Sequence, residues 1–503
     1  MSTSGIDMGG HDDTTAPPAL FANRLKVYAK AVQGPVRRIK WALLVVMLGV
    51  YYILPWIRWD RGPGRPDQAL LLDLEGRRGY FFNLEIWPDE IYYLAGLLIF
   101  GAVLLFLVTS LYGRLWCGYA CPQTVWTDLF MWVERKIEGD RAERIRRDKA
   151  ALSFDKAWRK VAKHGAWVLI AAATGGAWIM YYRDAPTVTM EILTGQASAT
   201  VYSMFALFTI TTYTLAGWAR EQVCTYMCPW PRFQAAMLDD QTVTVTYQAW
   251  RGEPRGKYRK GESFDLRGDC VDCTQCVQVC PTGIDIRDGI QLECINCGLC
   301  VDACNNVMDK LHRPSALITW DTFANQTALA KGEQPRHMKI IRPRTLIYAG
   351  LIVVLGAVMM TAMLTRTRVD ATVIRDRAPL FVTLSDGSIR NGYTLKITNR
   401  RPEGSDFAVT VDGPDGLVAS VHTPDGRELP ADNVEVRGDT QGALRMFIAM
   451  PRKAIPEEQT PIDVHIRNLT TGEEASVATV FVAPPSGGDR TQRVNSVAPV
   501  QVP

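Results

Sequence analysis

The stretch that decides the fold runs from residue 270 to residue 304: CVDCTQCVQVCPTGIDIRDGIQLECINCGLCVDAC. Its cysteines repeat one spacing, C-x2-C-x2-C-x3-C: first Cys270, Cys273, Cys276 and Cys280, then Cys294, Cys297, Cys300 and Cys304. Pro281 follows the first run and Asn305 the second. Thiolates at this spacing hold [4Fe–4S] cubes. Zinc also takes C-x2-C pairs, but it usually joins one close pair to a distant one. Two complete runs separated by 13 residues are much more specific for iron and sulfur. A disulfide framework is disfavoured, because the compartment expected for this loop is reducing. Two adjacent cubes imply one-electron transfer in sequence.

All 12 cysteines lie between Cys117 and Cys304, and the remaining four form two matched motifs. Cys117-Gly118-Tyr119-Ala120-Cys121-Pro122 and Cys224-Thr225-Tyr226-Met227-Cys228-Pro229 are both C-x3-C-P. On a continuing helix an i, i+4 pair stands ~5 to 6 Å apart at Cβ, too wide for a relaxed disulfide. Such a pair grips a metal more readily than it closes a bridge. The proline is expected to end or bend the helix. Four converging thiolates would suit Cu(I) or a third metal centre; buried cysteines acting as small hydrophobes are the plainer alternative.

Working outward, five stretches without charge approach the ~17 to 25 residues that a membrane-spanning helix needs: Trp41–Ile57, Ile91–Tyr112, Gly165–Tyr182, Ala197–Trp218 and Thr345–Leu364. The fourth is rich in Thr and Ala, so a buried soluble helix competes with a span there. Lys and Arg number 6 in Met1–Lys40, 12 in Gly113–His164 and 16 in Ala219–Arg344, against 5 in Arg58–Glu90 and 1 in Arg183–Gln196. The basic segments go inside. The N-terminus and the cysteine-rich loops are then cytoplasmic, and the C-terminal domain periplasmic. Glu134–Lys149 reads as a basic helix, solvated or resting on headgroups.

From about Leu380 to Val482 short alternating runs replace the long apolar ones: Phe381–Leu384, Tyr393–Ile397, Phe407–Val411, Leu417–Val421, Val434–Val436, Leu444–Ile448, Ile462–Ile466 and Val477–Val482. Asp386-Gly387, Asn391-Gly392, Pro414-Asp415-Gly416 and Pro424-Asp425-Gly426 read as turns. This is the pattern of an immunoglobulin-like sandwich without its cysteine pair. It carries no catalytic constellation and reads as a partner-docking domain.

The expected fold class is therefore multi-domain: an α-helical membrane bundle of five transmembrane helices, an inserted 2[4Fe–4S] domain and a C-terminal all-β sandwich. Its parts are a flexible cytoplasmic tail (1–36), a four-helix membrane region (37–218), and a cytoplasmic loop (219–344) with the cluster domain at about 262–314. The fifth helix (345–364), the sandwich (370–484) and a disordered tail (485–503) follow. A net charge of +4, from 56 Lys and Arg against 52 Asp and Glu, argues against a nucleic-acid partner. No haem-attachment motif, Walker loop or dinucleotide fingerprint occurs, and no span contains histidine.

The 270–304 spacing resembles that of bacterial two-cluster ferredoxins, in which the fourth cysteine of each run serves the other cube. The resemblance assigns Cys270, Cys273, Cys276 and Cys304 to one cluster, and Cys294, Cys297, Cys300 and Cys280 to the other. The full order of parts resembles the FixG/CcoG (RdxA) family of cytochrome cbb3-type oxidase accessory proteins over nearly the whole chain. That resemblance implies a bacterial inner-membrane cupric reductase with two [4Fe–4S] clusters, supplying Cu(I) for the oxidase's copper centre. It implies copper at Cys117, Cys121, Cys224 and Cys228, a cytosolic electron donor, and oxidase assembly factors and copper chaperones or transporters as partners. A quinol-linked electron-transfer subunit feeding an extracytoplasmic reductase and a non-enzymatic assembly scaffold are the competing readings.

Overall fold

The computed structural model describes residues 26–62, 65–259, 264, 267–366, 369–401, 404–438 and 440–484. They form two compact units, Met1–Met359 and Met360–Pro503. Residues 1–25 of the expected N-terminal tail and the whole tail from 485 lie outside the described residues.

In the first unit, α1 (Pro35–Ile53) starts before the apolar run, and Pro35 occupies the first helical position, where a missing N–H costs nothing. A three-stranded sheet follows: β1 (Leu70–Asp73), β2 (Arg78–Phe81) and β3 (Leu84–Ile86). Next come α2 (Tyr92–Tyr112), α3 (Leu115–Tyr119), α4 (Pro122–Glu138), α5 (Arg141–Lys149), α6 (Phe154–Ile179), α7 (Ala185–Thr194) and α8 (Ala199–Thr212). α8 continues as a π-helical stretch, Tyr213–Ala219.

Among the described residues, four helices are long and apolar enough to cross a membrane: Pro35–Trp56, Pro88–Tyr112, Ala199–Ala219 and Pro343–Leu364. The stretch Gly165–Tyr182 instead forms the C-terminal part of α6, whose first turns carry charge, and the helix ends at Ile179. A polar knot ties α1 and α4 to α6: Tyr52 Oη and Trp126 Nε1 lie 2.7 and 2.9 Å from Thr174 Oγ1, and Tyr51 Oη donates to the Thr174 carbonyl at 2.8 Å. Gly175 lets α6 approach α8, since a Cβ there would stand 3.0 Å from the Thr209 nitrogen.

Two expectations fail in this unit. Residues from Lys26 are tethered rather than loose: Lys26 Nζ and Tyr28 Oη both donate to Asp148 at 2.6 Å, and Lys30 N donates to the Gln278 carbonyl at 2.8 Å. Glu134–Lys149 is not one solvated helix. Gly139, at φ 89°, breaks it, and Glu134 and Arg144 are buried as a 2.6 Å ion pair.

Helix ends gather on the side of the cluster loops. Asp302 accepts from the backbone N–H groups of Val36 and Arg37 at 3.3 and 2.8 Å, supplying the anion that a helix start favours. Asn296 donates to the Tyr112 carbonyl at the end of α2 (3.0 Å), and Arg342 reaches the Ser110 carbonyl (2.9 Å) from just before the final apolar helix. At the other end, Leu72 N in β1 donates to the Tyr181 carbonyl, beyond α6, at 2.7 Å.

The second unit is a sandwich. One sheet joins β6 (Val369–Arg375), β7 (Val382–Thr383), β8 (Ile389–Asn399), β10 (Val418–His422), β11 (Glu428–Leu429) and β13 (Thr440–Met450). The other has the order β12 (Val434–Val436), β9 (Ser405–Asp412), β14 (Gln459–Asn468), β15 (Glu474–Val482). A hairpin-like pair in the first unit, β4 (Val243–Tyr247) with β5 (Ile318–Thr322), brackets the cluster loops in sequence. Inward residues of both sheets, among them Tyr393, Leu395, Phe407, Met446, Val464 and Phe481, close one core. Two details depart from expectation. β6 and β11 are additional strands, and Asn391-Gly392 is no turn: it lies inside β8, opposite Ile448 and Phe447. A Cβ at Gly392 would stand 2.6 Å from Asp376 Oδ2, so any larger residue there would have to displace the Asp376 carboxylate.

Candidate redox site

The cluster loops are built from short turns that aim side chains inward. Thr274, Asn296 and Gly298 all have positive φ (54°, 58° and 70°), and two of them cap the short helices Gln275–Val279 and Leu299–Lys310. The first helix carries Cys276, with Cys280 just past its end, and the second carries Cys300 and Cys304, four residues apart. Cys270, Cys273, Cys276 and Cys304 line one cavity. A second is lined by Cys280, Cys294, Cys297 and Cys300, with Cys276 between the two. Each cavity thus takes three cysteines of one run and the last of the other.

The donor chemistry fits iron–sulfur cubes. Among the described residues, no three His, Cys, Asp or Glu side chains converge tightly enough for a single metal ion. Cysteines that surround a cavity without meeting at a point suit a four-iron cube better than zinc. Burial pushes Cys276 and Cys304 up to about 12, and Cys294 likewise. Such thiols keep their protons until a metal replaces them.

The two C-x3-C-P motifs share one backbone design. Cys117 sits on α3 and Cys224 on a π-helical turn, Val223–Met227. Cys121 and Cys228 are both extended, with φ, ψ of −62°, 127° and −82°, 122°. The N–H of each second cysteine returns at 2.8 Å to the carbonyl five residues back, Trp116 and Val223. The proline ends one helix and also begins the next, α4 after Pro122 and α9 (Trp230–Ala235) after Pro229. The second cysteine of each pair therefore stands at a helix junction, not on a continuing i, i+4 face.

The four thiols are neighbours. Burial, then Cys121, Cys224 and Cys228, raise Cys117 to about 12, and Cys224 rises to about 12 by burial and the thiols of Cys121 and Cys228. Cys117 and Cys224 pack with Cys300 on the apolar cluster of Val279, Ile295, Cys297, Leu299 and Ala303. The contact is close at Gly118, where a Cβ would stand 2.8 Å from the Ile295 carbonyl oxygen and 3.1 Å from Cys297 Cα. Both motifs thus abut the loop carrying the second cysteine set.

Several residues of the site carry no sequence signal beyond a buried polar type next to a motif. Arg114, three positions before Cys117, donates to the carbonyls of Leu292, Cys294 (3.2 Å) and Pro231 (2.9 Å), pinning the cluster loop to the second motif's helix. Cys117 Sγ donates to Gln234 Oε1 at 3.1 Å, and Tyr119 Oη to the Cys297 carbonyl at 3.0 Å. Lys40 is buried beside Asp128 at 3.4 Å, and its charge favours the thiolates of both Cys224 and Cys297.

Comparison with known proteins follows the same division of parts. Residues 219–323 match the family described as a 4Fe-4S dicluster domain, residues 94–139 a 4Fe-4S binding domain, and residues 359–484 the Ig-like fold at the C-terminus of FixG. Protein RdxB of Cereibacter sphaeroides is 47% identical over 472 residues, covering 93% of this chain and 98% of its own. The chain belongs to the FixG/RdxA family. Nitrogen fixation protein FixG of Rhizobium meliloti is 45% identical, with 93% of this chain and 95% of FixG covered. Protein RdxA of Cereibacter sphaeroides is 46% identical, with 92% and 98% covered. Membership makes this an iron–sulfur redox protein with 4Fe-4S domains, apolar helices suited to membrane association and an Ig-like C-terminal region.

Proposed function

We propose that the protein is a membrane oxidoreductase that reduces Cu(II) to Cu(I) for assembly of the copper centre of a cbb3-type oxidase. The observation that carries this reading is the packing of Cys117 and Cys224 on the loop of Cys297 and Cys300. Bound in the two cysteine-lined cavities, [4Fe–4S] cubes would supply one-electron transfer; Cys270, Cys273, Cys276 and Cys304 would hold one, and Cys294, Cys297, Cys300 and Cys280 the other. Cys117, Cys121, Cys224 and Cys228 receive the substrate ion. Thiolates prefer Cu(I) to Cu(II) and so pull the reduction forward. The thiols are neighbours but not a preformed single-ion cage, which suits a cargo that must leave. Lys40 favours the charged forms on both sides of the contact.

In this reading the apolar later turns of α6 cross the bacterial inner membrane as a fifth span beside the four long apolar helices, so that the cysteines face the cytoplasm and the sandwich the periplasm. The Lys and Arg bias supports that orientation. A cytosolic donor reduces the protein, and copper chaperones or transporters and oxidase assembly factors exchange copper with it. In cells, Cys121→Ala or Cys228→Ala should lower oxidase activity, with partial rescue by added copper. No change in oxidase activity would contradict the proposal.

One observation favours a second reading. Residues 94–139 match a 4Fe-4S binding family although Cys117 and Cys121 are their only cysteines. The four thiols would then hold resident iron, and the chain would pass electrons from the quinol pool to an extracytoplasmic reductase. Iron analysis separates the two: about eight Fe per chain for two cubes, about twelve for three.

A further inference from the structure

Beside the start of α1 lies a cavity of about 520 Å³ that the redox reading does not use. Lys30, Arg37, Arg38, Arg135 and Lys136 line it, against only Asp128 and Asp140; five cations and two carboxylates leave three positive charges. Asp128 is already engaged twice, by Arg37 at 2.8 Å and Lys40 at 3.4 Å. Arg135 makes no ion pair with a described residue, and burial together with the neighbouring Arg37 guanidinium pulls its pKa down. Arg37 itself is 8% exposed; Nη1 serves Asp128, but Nη2 is buried without a hydrogen-bond partner. A buried guanidinium with a spare donor, among uncompensated cations, calls for an anion.

The walls identify the kind of anion. Trp41 and Trp132 meet edge-on at 6.0 Å, with the Arg37 guanidinium 4.8 Å above the first ring and Lys136 Nζ 5.9 Å from the second. Paired Trp and Lys or Arg at the end of an apolar helix are the furniture of a membrane interface. Arg38, Trp41 and Val45 follow one stripe of α1 at i, i+3 and i+7, and Val45 is 63% exposed. Such a stripe leads from the cations toward the hydrocarbon layer. At the other end Val279, Pro281 and Leu299 close the cavity. These flank Cys280 and Cys300 in sequence.

We propose that this cavity holds the phosphate headgroup of an anionic phospholipid from the leaflet on the cluster side, its acyl chains running along the Arg38–Trp41–Val45 stripe. The inference rests on the reading that α1 crosses the membrane. Basic pockets between helices on the cytoplasmic face are suited to such headgroups.

The test uses the full-length holoprotein, delipidated in neutral detergent and titrated with phosphatidylglycerol or phosphatidylcholine under native mass spectrometry. Phosphatidylglycerol should be retained at least tenfold more tightly, and R38Q/K136Q should lose about tenfold of that preference, each cation contributing a few-fold. Neither side chain belongs to a buried ion pair, so this variant should fold where an Arg37 variant need not. Equal retention of the two lipids, or an unchanged preference in R38Q/K136Q, would overturn the proposal. Displacement of phosphatidylglycerol by millimolar inorganic phosphate would also overturn it, in favour of a soluble anion. Carbonate extraction of membranes keeps the two readings apart. A protein that stays in the pellet without lipid preference sinks only this proposal, whereas one that is extracted sinks the membrane-spanning reading beneath it.

Discussion

The two cysteine regions differ in how they are assembled. The cluster loops draw the cysteines that line their two cavities from one continuous segment, shaped by turns at Thr274, Asn296 and Gly298. The C-x3-C-P pairs come from separate helix junctions and meet through tertiary packing, in which Gly118 and Arg114 hold the first against the cluster loop and the second motif's helix. A locally built site is robust to distant change. One assembled by tertiary packing inherits the stability of everything that positions it.

The largest effects should fall on the cavities and test whether the runs interleave. Because each cavity takes one cysteine from the other run, Cys280→Ser should remove the EPR signal of the centre built on Cys294, Cys297 and Cys300, and Cys304→Ser that of the other. Each should cost about half the iron. Loss of the signals in the opposite order would show that each run serves itself.

Next comes the buried ion network under the second region. Burial alone would raise Glu134, but Arg220, Arg144 and Lys163 outweigh it and hold it at about 2 against an ordinary 4.5. A carboxylate with a depressed folded pKa stabilises the native state fully above its unfolded value, and that contribution of about 3 kcal/mol is lost as pH falls from about 4.5 through 2. Glu134→Gln leaves Arg144 and Arg220 buried without their anion. It should cost about 3 to 5 kcal/mol at neutral pH and flatten the acid limb of a thermal-melt profile. A melt unchanged in both respects would remove the network from the account.

A smaller effect is expected at the contact itself. Gly118→Ala places a methyl against the Ile295 carbonyl, and overpacking of this sort costs about 1 to 3 kcal/mol. The cluster EPR signals should persist while Cu(II) reduction slows. If both stay at wild-type level, the close approach does not matter for electron delivery.

The same contrast governs what could be read from the sequence. The spacing of the eight cysteines of 270–304 already points to a dicluster domain, and the fold sets them around two cavities because the short turns between them keep the runs close. The C-x3-C-P pairs announce a site but not its shape. Pro122 and Pro229 start helices as well as ending them, which places Cys121 and Cys228 at extended junctions. Arg114, Gln234 and Lys40 sit in ordinary basic or polar surroundings, and only the folded chain brings them to the thiols. In the sandwich, alternation marks every strand with a buried face, yet β6 follows an apolar helix directly and merges with its end. Asn391-Gly392 has turn composition, but both residues pair within β8, where Gly392 lies beside the Asp376 carboxylate. The stretch Gly165–Tyr182 is apolar only in the later turns of α6, so its helix falls short of the four that reach spanning character.

The account turns on electrons passing from the cluster loops to copper at the four thiols. The direct measurement is a single turnover: protein reduced with dithionite, freed of excess reductant, then mixed anaerobically with Cu(II) and a Cu(I)-specific chelator. Wild type should deliver about two Cu(I) per chain, one electron from each cube. The variant with Ala at Cys117, Cys121, Cys224 and Cys228 should deliver almost none on the same timescale while retaining about eight Fe per chain and both EPR signals. Delivery of the same Cu(I) at the wild-type rate by that variant would contradict the account.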